Sequence, residues 1–142
     1  MKIELAAAQS IISEALAVGG RQGFKPLTVV VLDPGGHVIA AARQDGASNS
    51  RFEIAQGKAY GALALGMGSR AIMERAEQQG YFIAAVTATL GGRLVPVPGG
   101  VLARDADGAI IGAIGISGDS SDNDEAAASM AIEAAGLQPQ VA

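Results

Sequence analysis

One imidazole and no thiol bound the chemistry open to this chain. Its 142 residues hold a single His, at position 37, and no Cys. Disulfides, iron–sulfur clusters, thiolate-ligated haem, Cys-based zinc sites and multi-His metal sites are therefore excluded, and no protein metal site is expected. His37 is the one strong nitrogen donor that could ligate iron. Its place directly behind Gly35-Gly36 suits a plain turn residue equally well. Arg43 and Lys58 stand in or beside Ala-rich apolar segments. A cation there must snorkel outward, meet a carboxylate or face a cleft. Asp45, Asp124 and Glu125 are the carboxylates within the same pattern, and Arg43 paired with one of them is the plain structural expectation. Acids of this kind could instead serve as general acid or base beside Arg43 and Lys58. Gly-Gly pairs, such as Gly99-Gly100, can offer backbone N–H groups to an anion.

Several motif-like stretches fail on context. Gly66-Met-Gly-Ser-Arg-Ala71 matches a dinucleotide fingerprint in letters but follows a helical pattern, where the fingerprint needs a preceding strand. Gly57-Lys58 is followed by Ala59, without the Ser or Thr of a phosphate-binding loop. Gly115-Ile-Ser-Gly118 lacks the spacing of a nucleophile elbow, and nothing in the spacing links Ser117 to His37 as a triad.

These residues need elements to hold them. Leu5, Ala8, Ile12, Ala15 and Leu16 recur at helical spacing, predicting a helix over about 4–20 that Gly19-Gly20 and Gly23 end. The β-branched run 27–32, the turn Asp33-Pro-Gly-Gly36 and the segment 37–43 predict a hairpin over 27–44. Ser50 with Glu53 has capping-box spacing and opens a helix to about Leu65. Ser69 can cap another over 70–78. Residues 81–90 are ambiguous, β-branched residues favouring a strand and alanines blurring it. Residues 101–104 and 109–117 read as strands joined at Asp105-Ala-Asp-Gly108. Asp122 or Asp124 caps a last helix that runs to Ala135. The order α-β-β-α-α-(β)-β-β-α implies an α/β (α+β) domain over 1–142, with a mostly antiparallel sheet of about five strands covered by helices.

The charge count, 10 basic against 14 acidic residues, gives −4 with the basic residues scattered, so no nucleic-acid surface is expected. Apolar runs are too short to span a bilayer, and Met-Lys-Ile-Glu-Leu is a poor secretory start. A soluble, cytoplasmic protein is expected. Hydrophobic residues make up 49% and charged ones only 17%, which points to apolar surface buried between subunits of a homo-oligomer.

An ordered set of segments carries a resemblance. Asp33-Pro-Gly-Gly-His-Val-Ile-Ala followed by Arg43-Gln-Asp-Gly-Ala47 is similar to the Asp-x-Gly-Gly-His-hydrophobic and Arg-Met-Asp-Gly-Ala pattern of the GlcG/HbpS-like haem-binding family, the DUF336 domain related to the C-terminal domain of PduO. Gln44 stands where that pattern has Met. Lys58-Ala59, Val97-Pro-Gly-Gly100, Ile111-Gly-Ala-Ile-Gly-Ile-Ser-Gly118 and Asp124-Glu125 continue the match in order.

The resemblance implies an α-β-α sandwich and a haem or other tetrapyrrole ligand, with a role in haem handling or as a metabolic accessory. It implies a cofactor-binding set of His37, Arg43, Lys58, Gly99, Gly100 and Ser117, with His37 reaching iron and Arg43 or Lys58 meeting propionates. Two other readings stay open. One is an enzyme acting on a small anionic or polar metabolite through Arg43, Lys58, Asp45 and Glu125. The other is a structural or regulatory oligomer subunit. The functional cleft is expected where the two hairpin turns meet the second helix, with Arg43, Lys58 and one of the acids about a single pocket.

Overall fold

The strand that reads as a continuous β-branched run is the one buried on both faces. In the computed structural model, which describes residues 1–142, β1 (Thr28–Leu32) is buried at every position. It lies second in a five-stranded antiparallel sheet of order β2-β1-β4-β3-β5. Its partners are β2 (Val38–Arg43) at the edge and β4 (Ile110–Ser117) inside; β3 (Gly100–Arg104) follows, then β5 (Gln138–Gln140) at the far edge. A strand covered on both sides has no polar face to alternate, which is why the run lacks a period of two.

Helices cover both faces. On one, α1 (Leu5–Gln22) and α5 (Ser121–Ala134) pack Ile11, Ala15, Val18, Ala128 and Ile132 against Val29, Val31, Ile114 and Ile116. On the other, α2 (Arg51–Leu65) lays Ala55, Ala59 and Ala62 on Val30, Leu32, Leu102 and Ala113. The small residues matter: a Cβ on Gly115 would collide with the Ala55 carbonyl, and one on Gly100 with that of Lys58. Helix and sheet therefore meet backbone to backbone. α3 (Ser69–Gln78) and α4 (Gly80–Thr89) form an outlying hairpin around Ile72, Ile83 and Leu94.

The α-β-α sandwich is as expected, with differences of detail. Residues 81–90 are helical: alanines at 84, 85 and 88 favour a helix, and the segment packs on α3, away from the sheet edges, so it must satisfy its own backbone. β5 was not foreseen. It is three residues long and centred on Pro139, which only an edge strand tolerates. The caps also shift. Ser50 Oγ donates to Asn49 Oδ1 and makes no cap bond. Gly68, rather than Ser69, caps α3, and Ser69 Oγ accepts the Gly100 N–H at 2.7 Å. Ser120, rather than an aspartate, caps α5 by accepting the Asn123 N–H. No helix is long and apolar enough to cross a membrane.

Candidate functional site

Strand register divides the predicted residues between the two ends of the sheet. Arg43 pairs with Thr28 and Thr28 with Ser117, so these three form one row. His37 precedes Val38, which pairs with Leu32 at the other end of β1. The separation along β2 is roughly 17 Å, five residues at about 3.3 Å each. The two hairpin turns lie at the His37 end, so the expected convergence of both turns with Arg43 and Lys58 does not occur.

At the far end, Lys58 and Asp124 make a buried ion pair, 2% and 1% exposed, with Nζ 3.1 Å from Oδ2. Nζ also donates to the Ile116 carbonyl at 2.9 Å, and Asp124 Oδ1 accepts the Asp119 N–H. Burial disfavours the charge on both, pushing the Lys58 ammonium down and the Asp124 carboxyl up, with each partner's charge partly offsetting the shift. The Lys58 side chain lies against Gly99, where a Cβ would approach Nζ to 2.8 Å. Gly99 and Gly100 thus make room for α2 and its lysine.

The other charged residues are held apart. Arg43 is exposed and donates from Nη1 to the Ala47 carbonyl at 2.9 Å; it pairs with none of the three acids. Asp45 is exposed and forms no ion pair. Glu125 accepts both Nε and Nη2 of Arg70, a residue the sequence did not single out. Arg43, Lys58, Asp45 and Glu125 therefore do not form one cluster: Asp124 takes the lysine, and Arg70 takes the glutamate. Gln44, where the resembled pattern has Met, uses its side-chain oxygen to accept the Leu27 N–H at 2.9 Å, tying the strand's start to the loop.

Ser117 is buried and accepts Arg51 Nη1 at 3.1 Å. Arg51 also donates from Nε to Ser48 Oγ at 3.1 Å. It was missed, although a cation in a helix's first turn opposes the helix dipole and was a legible signal.

The His37 end carries a different set. Asp33 Oδ1 accepts the backbone N–H of Gly35 and of His37, fixing the turn. Those bonds, led by that from His37, hold the Asp33 carboxyl below its ordinary value. His37 Nδ1 lies 3.4 Å from the same oxygen, and its side chain is 82% exposed. A carboxylate beside one ring nitrogen is the arrangement that orients a ligating imidazole. Tyr60 of α2 packs against Gly36, where a Cβ would meet the ring at 2.6 Å. The Arg93 guanidinium lies 4.1 Å from the Tyr60 ring centre. Pro34, Gly35, Gly36, Tyr60, Leu63 and Ala64 line a shallow cavity of about 100 Å³. Tyr60 and Arg93 were also missed, since a lone Tyr in an Ala-rich helix and an Arg after Gly-Gly carry no spacing signal.

Comparison with known proteins adds a family. A family model described as "Haem degrading protein HbpS-like" matches residues 3–133. An uncharacterized 15.0 kDa protein from the dhaT–dhaS intergenic region of Citrobacter freundii is 31% identical over 126 residues, 89% of this chain and 84% of that protein. The crystal structure of the PduOC–haem complex aligns over 96% of this chain and 97% of its own, with a TM-score of 0.85 and 25% identity. Klebsiella pneumoniae protein ORFY, of DUF336, aligns over 96% and 92% with a TM-score of 0.84 and 27% identity. HbpS aligns over 94% and 89% with a TM-score of 0.77 and 26% identity.

Proposed function

The chain belongs to the HbpS-like family, and on that premise we propose that it binds haem or a closely related tetrapyrrole on the surface built by the β1–β2 turn and the C-terminal half of α2. The observation that carries this reading is the placement of His37, Asp33, Tyr60 and Arg93 around one turn. The fit is chemical. An exposed imidazole with a carboxylate behind it suits an axial nitrogen ligand. Tyr60, Pro34 and Leu63 give an apolar wall, and Arg93, whose Nε bonds only a backbone carbonyl, gives a cation for a carboxylate. Arg43 and Lys58, assigned to the propionates on the resemblance, lie at the other end of the sheet, so Arg93 takes that role in this reading. Haem, when bound, would supply an iron centre for electron or ligand exchange; the chain's own part is to hold, orient and shield it.

The His37 surface is a shelf rather than a slot. The cavity beside it, lined by Pro34 to Gly36 and Tyr60, is about 100 Å³, well below the roughly 300–1,000 Å³ of an enclosing small-molecule pocket. A second copy of the chain would cover the ligand's open side, so a homo-oligomer belongs to the same reading.

Titration with haemin tests it. A saturable Soret shift at one haemin per chain is expected, lost or weakened at least tenfold in His37→Ala. An unsaturable shift, or one unchanged in His37→Ala, would remove His37 from the site.

A further inference from the structure

We propose that the cleft at the end of the sheet opposite His37 is a second site, for a small oxyanion: a carboxylate or a phosphate. The cleft, about 220 Å³, lies between Lys25-Pro26, the 46–48 loop, Arg51 and Gly118. That volume is below the range for drug-sized ligands and suits a few heavy atoms.

Its lining holds two cations and no acid. Arg51 spends Nε and Nη1 on two neutral hydroxyls, those of Ser48 and Ser117, and meets no carboxylate. Its other N–H donors stay free, and the serines hold the fork in place. Lys25 forms no ion pair. Two acids flank the cleft: Asp119 has its oxygens engaged by the N–H groups of Lys25 and Ser120 and by the Asn123 amide, and Asp45 is exposed beside Gly46. Arg43 donates to the Ala47 carbonyl behind the same loop. Arg51 and Lys25 thus line the cleft without a salt bridge, Lys25 being near enough to Asp119 for its charge to lower that carboxyl, and Arg43 holds the adjoining loop, in a chain of net charge −4.

A second observation is independent of charge. Thr28 Oγ1 is the one buried side-chain polar atom without a hydrogen-bond partner. Thr28 lies between Arg43 and Ser117 in the strand register. Buried hydroxyls are normally satisfied, and an orphan marks a place where a polar partner belongs. The orphan hydroxyl, the serine-anchored guanidinium and the free lysine all lie at the same end of the sheet. An oxyanion is the ligand that Arg51 and Lys25 would hold, since it takes N–H donors and carries the missing charge, while Thr28 lies behind that lining in the row of Ser117.

The experiment is a titration of the full chain, at constant ionic strength, with sodium phosphate and separately with sodium acetate, followed by backbone amide NMR shifts. Saturable shifts confined to residues 46–48 and 118 are expected. Lys25→Gln and Arg51→Gln should each weaken binding about tenfold, while Arg93→Gln should not change it. Saturation by phosphate alone, by acetate alone or by both supports the site and names its ligand class. Lys25 is at the cleft's rim, so its variant keeps the test alive if Arg51→Gln fails to fold. Shifts that stay linear and scattered over all basic residues, or equal affinity in Lys25→Gln, would overturn the proposal. So would competition by one equivalent of haemin, which would make this end part of the haem surface instead.

Discussion

Lys58 on α2 and Asp124 on α5 come from helices on opposite faces of the sheet, yet Nζ and Oδ2 lie 3.1 Å apart. They meet around the sheet's end, where Gly99 leaves space for the lysine. The pair is a direct polar tie between α2 and α5. Removing one partner strands the other's charge, so Lys58→Met should cost about 3–5 kcal/mol. The double variant Lys58→Met/Asp124→Leu should cost less than the two single variants added together, by about 2 kcal/mol. Urea denaturation of the four proteins measures this; additive losses would mean that the pair is not a coupled unit.

Asp119 should leave a signature in acid. Backbone N–H groups, first that of Lys25, then the Asn123 amide, lower its carboxyl from 3.8 to about 2. The folded state therefore keeps the charge to lower pH than the unfolded chain does. The resulting stabilisation is complete above about pH 5 and is lost progressively as pH falls through about 2. Asp33 acts in the same sense, while Asp124, whose carboxyl is raised by burial, acts in the opposite one. The comparison must therefore be made against Asp119→Asn, which removes only the Asp119 contribution. The difference between wild type and variant should shrink as pH falls from about 5 through 2; parallel curves would show that Asp119 is not held as described.

The two arginines assigned to opposite ends make a simple contrast. Arg93→Gln should weaken haemin binding several-fold through loss of a carboxylate partner, whereas Arg43→Gln should leave it unchanged. Dissociation constants from Soret titrations decide between them. If Arg43→Gln is the damaging change, the ligand lies at the Ser117 end.

An open shelf also predicts association. Sedimentation velocity at micromolar concentration should show species larger than the 14.1 kDa chain, with the proportion rising when haemin is added. A monomer under both conditions would mean that no second copy covers the site.

Gly115→Ala should be among the most damaging single-methyl changes in the chain. The added carbon would collide with the Ala55 carbonyl, and a main-chain group of a helix cannot swing aside as a side chain can. A loss of about 3 kcal/mol in unfolding free energy is expected, read as a lower denaturant midpoint at unchanged slope. A change below 1 kcal/mol would show that α2 can slide.

The fold was largely legible because its signals are local. The β-branched 27–32 run, the Asp-Pro-Gly-Gly turn and the Gly-bounded helices each name their element without knowledge of the rest. What escaped depends on neighbours distant in sequence. β5 exists because β3 leaves an edge to pair with, and residues 81–90 are helical because they pack on α3. The site divides in the same way. Lys58 and Asp124 were each marked by type and place, but their pairing required the sheet's end to be known. Arg43 was expected to find an acid and found the Ala47 carbonyl instead, while Asp124 and Glu125 pair with Lys58 and Arg70 and Asp45 stays unpaired. Tyr60, Arg70 and Arg93 take their importance from what lies beside them in space, and sequence spacing could not show it.

The contact of α2 on β4 has a further consequence. Side chains that interdigitate leave small voids, and voids are what hydrostatic pressure removes on unfolding. Where a helix backbone rests directly on a strand backbone, as Ala55 does over Gly115, there is little empty volume to surrender. The central layer should therefore resist compression, and pressure should open the outlying α3–α4 hairpin before it disturbs the strands beneath α2.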